Sequence, residues 1–326
     1  MSQLDSSGQV SLPTPGSRFP SIGNGPGGLL IAVLFGVLLP GTEAFAQRRK
    51  EVDRPRGKRA ATTPAEGVST GSRDDITGKG SRRGGDESAA FDPSQFRDGP
   101  LAKLAAYCEE SREALADVQD YTAVFSRKEL VKRRLVTQKM EMKYRHQPFS
   151  VYFHFVSPEE VGREVIYVDG SFKNRLVVHE TGLKAIAGTL YLPLSDTRVT
   201  QESRHPITSV GIHNILQKAI ENLEADATDD QLIVKKYPDA NLDDQACVAF
   251  VVRHPEPSKN AAFYETRLYF DKETKLPIHV ERYDWPKRTG DKPLLVEEYS
   301  YKKLKLNVGL KIVDFDPKNP RYQFPR

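Results

Sequence analysis

The chain has 326 residues, 38% hydrophobic and 28% charged, with a formal net charge of +4 and two cysteines. The charge is unevenly placed: residues 47–84 hold eleven Lys and Arg against five Asp and Glu, and residues 1–46 hold one basic group against two acidic ones. What remains is near neutral, which argues against a nucleic-acid-binding domain, and two thiols are too few for a disulfide framework.

In chain order, the first feature is the apolar run from Gly28 to Leu39, followed by Pro40-Gly41 and Ala44-Phe45-Ala46. A run of about a dozen residues is short of the roughly 20 that a membrane-spanning helix needs. With a turn and an Ala-x-Ala site behind it, the run reads as a secretory signal, residues 1–46, cleaved between Ala46 and Gln47. An uncleaved membrane anchor is the alternative. No Cys follows the run, so lipid attachment there is not expected. Residues 47–91 are basic, rich in Gly, Ser, Thr and Pro and poor in large apolar side chains, so they are expected to be a disordered linker. Gly78-Lys79-Gly80-Ser81 lacks the strand and glycine spacing of a phosphate-binding loop.

Residues 92–326 are expected to form a single β-rich domain, with order starting near Asp98. Leu101, Leu104, Ala105, Cys108, Leu115 and Val118 fall on one helical face. After Asp120 the period becomes two: Met140, Met142 and Tyr144 alternate with polar residues, as do Phe149, Val151, Phe153 and Phe155. Strands at Val165–Val168 and Leu176–His179 follow, separated by Asp169-Gly170 and Thr181-Gly182 turns. A second helix starts from Ser209 as N-cap and carries Ile212, Ile215, Leu216, Ala219 and Leu223 on one stripe. Strands then resume at Leu232–Lys236, Val248–Arg253, Tyr264–Phe270, Ile278–Tyr283 and Leu294–Tyr301. The pattern is helix, about five strands, helix, about five strands, with links too short for parallel crossovers. The fold class expected is α+β: a strongly curved antiparallel sheet, a half-open barrel, with two or more helices covering its concave face.

Catalytic signals are weak. The seven histidines form no metal-ligand spacing, and no metal or cofactor is expected. His154 and His279 are expected to point outward or to be hydrogen-bonded, and His213 to be solvated. The pairs Glu159-Glu160, Asp243-Asp244 and Glu297-Glu298 are expected to be exposed charge, because adjacent residues point apart. No nucleophile elbow occurs, and the chain is not expected to be an enzyme. The positive signal is an apolar stripe of Met140, Met142, Phe153, Phe155, Tyr167, Leu268, Phe270, Ile278 and Val280. These residues line a ligand pocket if the helices stand off from the sheet, and are plain core if the helices fill it. Cys108 and Cys247 are either a disulfide pair or two small core residues.

Several segments together resemble an exported bacterial family known as domain of unknown function 1571. They are Asp120-Tyr121-Thr122, Arg145 to Tyr152, Gly162 to Val168, His205-Pro206-Ile207-Thr208 with Gly211-Ile212, Tyr283-Asp284-Trp285-Pro286, Leu306 to Leu310 and Asp314 to Pro320. The resemblance spans about residues 100–326. Ala123 stands where relatives often carry Cys, which removes any disulfide the resemblance would imply there. The order of helix and meander is similar to the lipoprotein-carrier fold of periplasmic lipoprotein chaperones, a likeness of architecture alone.

The function expected is that of an exported periplasmic or cell-envelope protein holding an apolar ligand, a lipid or a lipoprotein's acyl chain, in the concave face. The alternative is a structural or interaction module of the envelope with a filled core and a protein or polysaccharide partner. In that case exposed loops such as Tyr283-Asp284-Trp285-Pro286 would make the contact. No nucleic-acid partner is expected.

Overall fold

Alternating apolar and polar side chains build strands, and short links between them permit only antiparallel neighbours. The computed structural model describes residues 91–257 and 261–325, all inside one compact unit. The expected export signal and nearly all of the expected linker lie outside the described residues.

A 3₁₀ turn, Pro93–Phe96, comes first, capped by the Asp92 carboxylate, and α1 (Ala102–Leu115) follows. Next come β1 (Asp120–Val131), β2 (Arg134–Arg145), β3 (Ser150–Phe155), β4 (Glu164–Val168), β5 (Arg175–His179) and β6 (Thr189–Pro193). The short α2 (Thr197–Thr200) and the longer α3 (Ile212–Asp226) lead into the second group of strands. These are β7 (Ile233–Leu242), β8 (Gln245–Arg253), β9 (Glu265–Asp271), β10 (Pro277–Asp284) and β11 (Leu294–Leu306). All belong to one eleven-stranded sheet in the order β6-β5-β4-β3-β2-β1-β11-β10-β9-β8-β7. Two meanders are therefore joined where β1 pairs with β11, and β6 and β7 are left as open edges.

Three expectations need correction. Ordered structure starts before Asp98, because Phe96 is buried and its ring meets that of Phe91 at 6.1 Å. The first group has a sixth strand, β6, whose alternation is too brief to stand out and which pairs only with β5. Ser209 does not cap α3: it closes a 3₁₀ turn, Ile207–Ser209, and Gly211 at φ 124° takes the cap position.

The sheet itself satisfies the first donors of α3. Gly211 N–H donates to Tyr301 Oη at 3.0 Å and Ile212 N–H to Tyr121 Oη at 3.1 Å, replacing a capping side chain. Only glycine fits here, since a Cβ at position 211 would lie 2.6 Å from Tyr144 Cε2 and the backbone is in a region that L side chains avoid.

One sheet face and the two long helices share the main buried core. Tyr107 of α1 meets Phe250 and Phe270 edge-on at 5.1 and 5.7 Å. Apolar α3 residues, among them Ile212, Leu216 and Leu223, are buried in the same cluster. On the opposite face Tyr152, Ile166, Val168 and Val177 form a second cluster with Phe315 and Phe324. The family-like segments at the two chain ends meet: the Asp120 carboxylate accepts from Gly309 N–H at 3.2 Å and Leu310 N–H at 2.8 Å. Cys108 and Cys247 are free and buried. Burial pushes the Cys108 thiol up to about 12 and is the main cause of Cys247 rising to about 11, so both are inert packing residues.

Candidate functional site

Period-two geometry puts Tyr121, Ala123, Phe125, Arg127 and Glu129 of β1 on one face. The first three belong to the main core, whereas the last two bring charge onto the same face. Neighbouring strands make the same change at the same level. Phe125 pairs with Met140 of β2, but Arg127 pairs with Gln138. Phe125 pairs with Tyr301 of β11, but Glu129 pairs with Glu297. On β10, Val280 pairs with Tyr299 and Arg282 with Glu297. The face is thus divided across the strands into an apolar half and a charged half.

All of the apolar-stripe residues fall in the apolar half's core. Met140, Met142, Phe153, Phe155, Tyr167, Leu268, Phe270, Ile278 and Val280 belong to one buried cluster, none more than 6% exposed. A cavity of about 60 Å³ touches Met140, Phe153 and Phe155. A larger cleft of about 420 Å³ lies where the two halves meet, within the usual size range of small-ligand sites. Phe125, Val280, Tyr301 and Ile215 supply its apolar wall, and Arg127, Glu129, Arg282, Tyr299 and His205 its polar wall.

Glu129 and Glu297 sit opposite each other on adjacent strands, each 1% exposed, an arrangement that repels unless both carboxylates are neutralised or hydrogen-bonded. Both are saturated. Glu129 accepts from Tyr299 Oη at 2.5 Å and from Arg204 N–H at 2.9 Å. Glu297 accepts from Arg282 Nη1 at 2.5 Å and Arg204 Nε at 3.3 Å, and lies 2.8 Å from His205 Nε2. Burial pushes the Glu297 carboxyl upward, but the His205 hydrogen bond and the Arg282 guanidinium outweigh it and hold the group at about 2. Burial, reinforced by the Glu297 and Glu129 charges, pushes the Tyr299 hydroxyl far above its ordinary value.

These contacts pin residues 202–206 across one side of the cleft. Arg127 donates from Nε to Gln138 at 2.6 Å, from Nη1 to Ser203 Oγ at 2.8 Å and from Nη2 to Glu202 O at 3.4 Å. Ser203 Oγ donates to His205 O at 2.7 Å. The hydroxyl is therefore committed to a backbone acceptor, and the Ser203–His205 pair is not a nucleophile with its base. Among the described residues no group of three or more His, Cys, Asp or Glu could hold a metal ion.

The charged half escaped sequence reasoning, and Glu297 corrects the expectation that the Glu297-Glu298 pair is exposed. The available signal was a charged residue in register with an apolar alternation: Arg127 and Glu129 after Tyr121, Ala123 and Phe125, or Arg282 after Ile278 and Val280. His213 is likewise not solvated. It stacks on His146 at 4.1 Å, and burial, with His146 adding to it, lowers its ring to about 4. His279 is buried and lies 3.2 Å from Glu281 on the same strand. Trp285 is half-buried and edge-on to Tyr264 at 6.3 Å, a packed turn rather than a free contact surface.

Together these features define an α+β protein built on a large open antiparallel sheet, with a cleft at an apolar–charged border. Residues 118–324 match the family described as protein of unknown function (DUF1571), and the chain belongs to that family. Among curated proteins none matches the sequence. Solved structures with similar chain arrangements include the lipoprotein LppX of Mycobacterium tuberculosis, 12% identical, with 64% of this chain and 98% of that chain covered at a TM-score of 0.38. MucB of Pseudomonas aeruginosa, solved in complex with MucA, is 12% identical over 65% of this chain and 59% of that one, at 0.31. An outer membrane lipoprotein-sorting protein domain from Vibrio parahaemolyticus is 13% identical over 65% and 95%, also at 0.31. None of these scores is high enough to carry fold details or function across.

Proposed function

We propose that this is an exported envelope protein that holds an amphiphile, a lipid or the acyl chain of a lipoprotein, and performs no chemistry on it. The observation that carries this reading is the cleft of about 420 Å³ at the border between buried aromatic residues and buried charge. A molecule with an apolar and a polar end matches such a wall better than a purely apolar one does. In this reading the sheet is curved into a half-open barrel, with α1 and α3 over its concave face and residues 92–326 acting as one domain. Met140, Phe153 and Phe155 are core residues that border the small adjoining cavity. Met142, Tyr167, Leu268, Phe270 and Ile278 form the packed floor. Secretion follows from the signal-like residues 1–46, with residues 47–91 as a basic linker.

Native mass spectrometry of the protein purified gently from a bacterial envelope fraction tests the reading. A lipid adduct released by denaturation supports it and names the ligand class. A clean apo mass that persists after incubation with lipid extract removes it.

A second reading, an interaction module of the envelope with a protein or polysaccharide partner, has its own support. Leu183 and Ile186, on the 3₁₀ turn Gly182–Ala187, are 88% and 86% exposed, unusual for two neighbouring large aliphatic side chains.

A further inference from the structure

The cleft's polar wall contains one guanidinium whose hydrogen-bonding capacity is mostly unused. Arg127 spends all three of its nitrogens on Gln138, Ser203 and Glu202. Arg204 is committed to Glu297 and to Leu130 O. Arg282 lines the same cleft and is only 7% exposed, yet it makes a single hydrogen bond, from Nη1 to Glu297. Its Nε is buried without a partner, and Nη2 bonds to nothing among the described residues.

Nε is shut off from solvent, which leaves Nη2 as the donor able to make a charge-assisted contact to an oxyanion. Phe263 lies 5.5 Å from the guanidinium carbon and covers one face of the group, which holds the plane in place.

The local charge has the matching sign. Arg127, Arg204 and Arg282 gather around only two buried carboxylates, Glu129 and Glu297, with His205 beside them. At the rim Lys218 and Glu221 neutralise each other at 3.0 Å. The apolar wall, Phe125, Val280 and Ile215, adjoins this cationic spot within the same cleft.

The geometry points to an oxyanion subsite: Arg282, through its free Nη2, binds the phosphate or carboxylate head of the ligand while the apolar wall takes the chain. The inference rests on the amphiphile reading for the chain but not for the head, so the two can fail separately.

The test uses the full chain and two probes that differ only in the head, 1-palmitoylglycerol 3-phosphate and 1-palmitoylglycerol, with inorganic phosphate as a third. Calorimetry is expected to show the phosphorylated probe binding about tenfold tighter, the scale of one charge-assisted contact. In Arg282→Gln the two palmitoyl probes should bind alike. That variant takes one of three partners from the buried Glu297, so Arg282→Gln/Glu297→Gln is made as well, with circular dichroism to show that it folds; it too should lose the preference. Equal affinity of the two palmitoyl probes for the unmodified protein overturns the subsite, as does a preference that survives both variants. Binding of inorganic phosphate alone, lost in both variants and with neither palmitoyl probe bound, keeps the subsite and overturns the amphiphile reading. Binding of none of the three overturns both.

Discussion

The two halves of one sheet face obey the same backbone rules and do different work. In the apolar half, Phe125, Met140, Phe153 and Tyr301 pack to nearly zero exposure, and Phe125 stacks on Phe153 at 5.7 Å. Further along β1 and β11, and on β10, Glu129, Arg282 and Glu297 are also almost wholly shielded, with Arg127 partly so, and these groups depend on one another for solvation. The apolar half derives its stability from removing hydrocarbon from water, which is non-directional and tolerant of detail. The charged half gains little net stability from its ion pairs, because desolvation offsets most of their attraction. Such an arrangement has more to contribute to a specific, pre-organised polar wall than to the fold.

The largest expected effect contrasts the two halves directly. Phe153→Asp places an unpaired carboxylate in the main core and should cost about 4–5 kcal/mol or more. Thermal melts followed by circular dichroism should show the domain largely unfolded. A folded Phe153→Asp protein that had merely lost its ligand would make this part of the face a pocket lining instead of core. In the charged half, Glu297→Gln should cost about 3–5 kcal/mol because Arg282 loses the one carboxylate it bonds among the described residues. Adding Arg282→Gln should recover part of that loss, a coupling that denaturant titration of the two single variants and the double variant can measure.

A smaller effect is expected at the helix that borders the cleft. Gly211→Ala meets Tyr144 and keeps a positive φ, so it should destabilise by about 1–3 kcal/mol and lower the melting temperature. The smallest effect is a pH dependence from the same region. The His213 ring is held at about 4, below its ordinary 6.5, so the unfolded chain binds the extra proton first. Its contribution to stability is present in full above about pH 6.5 and fades as the pH falls towards about 4. A His213→Phe variant should flatten that part of the stability–pH curve, and an unchanged curve would mean that the stacked His146–His213 pair is not the group responsible.

Much of the fold was legible because it rests on periodicity. The change from 3.6 to 2 after Asp120, and the apolar stripes of both long helices, mark most of the elements correctly. What sequence missed depended on contacts made in three dimensions. The cap of α3 could not be read from Ser209, since the hydroxyls that serve it come from Tyr121 and Tyr301, about 90 residues away on the sheet. Strand β6 escaped because four alternating residues beside a turn carry little signal. The charged half escaped for another reason: Glu297 looks like one of an exposed acidic pair until β1 and β10 bring Glu129 and Arg282 beside it. Its place in the alternation was visible, but its partners were not.

The central claim is that a ligand's chain lies in the cleft where the two halves meet, and not within the apolar half beneath it. The most direct measurement is photo-crosslinking of the full chain with a palmitoyl probe carrying a diazirine along the chain, followed by peptide mapping. The account predicts adducts on peptides containing Phe125, Ile215 and Val280, and their loss when Val210→Trp, at another position lining the cleft, narrows it. Adducts confined to peptides carrying Met142, Tyr167 or Phe270, or labelling unchanged by Val210→Trp, would contradict it.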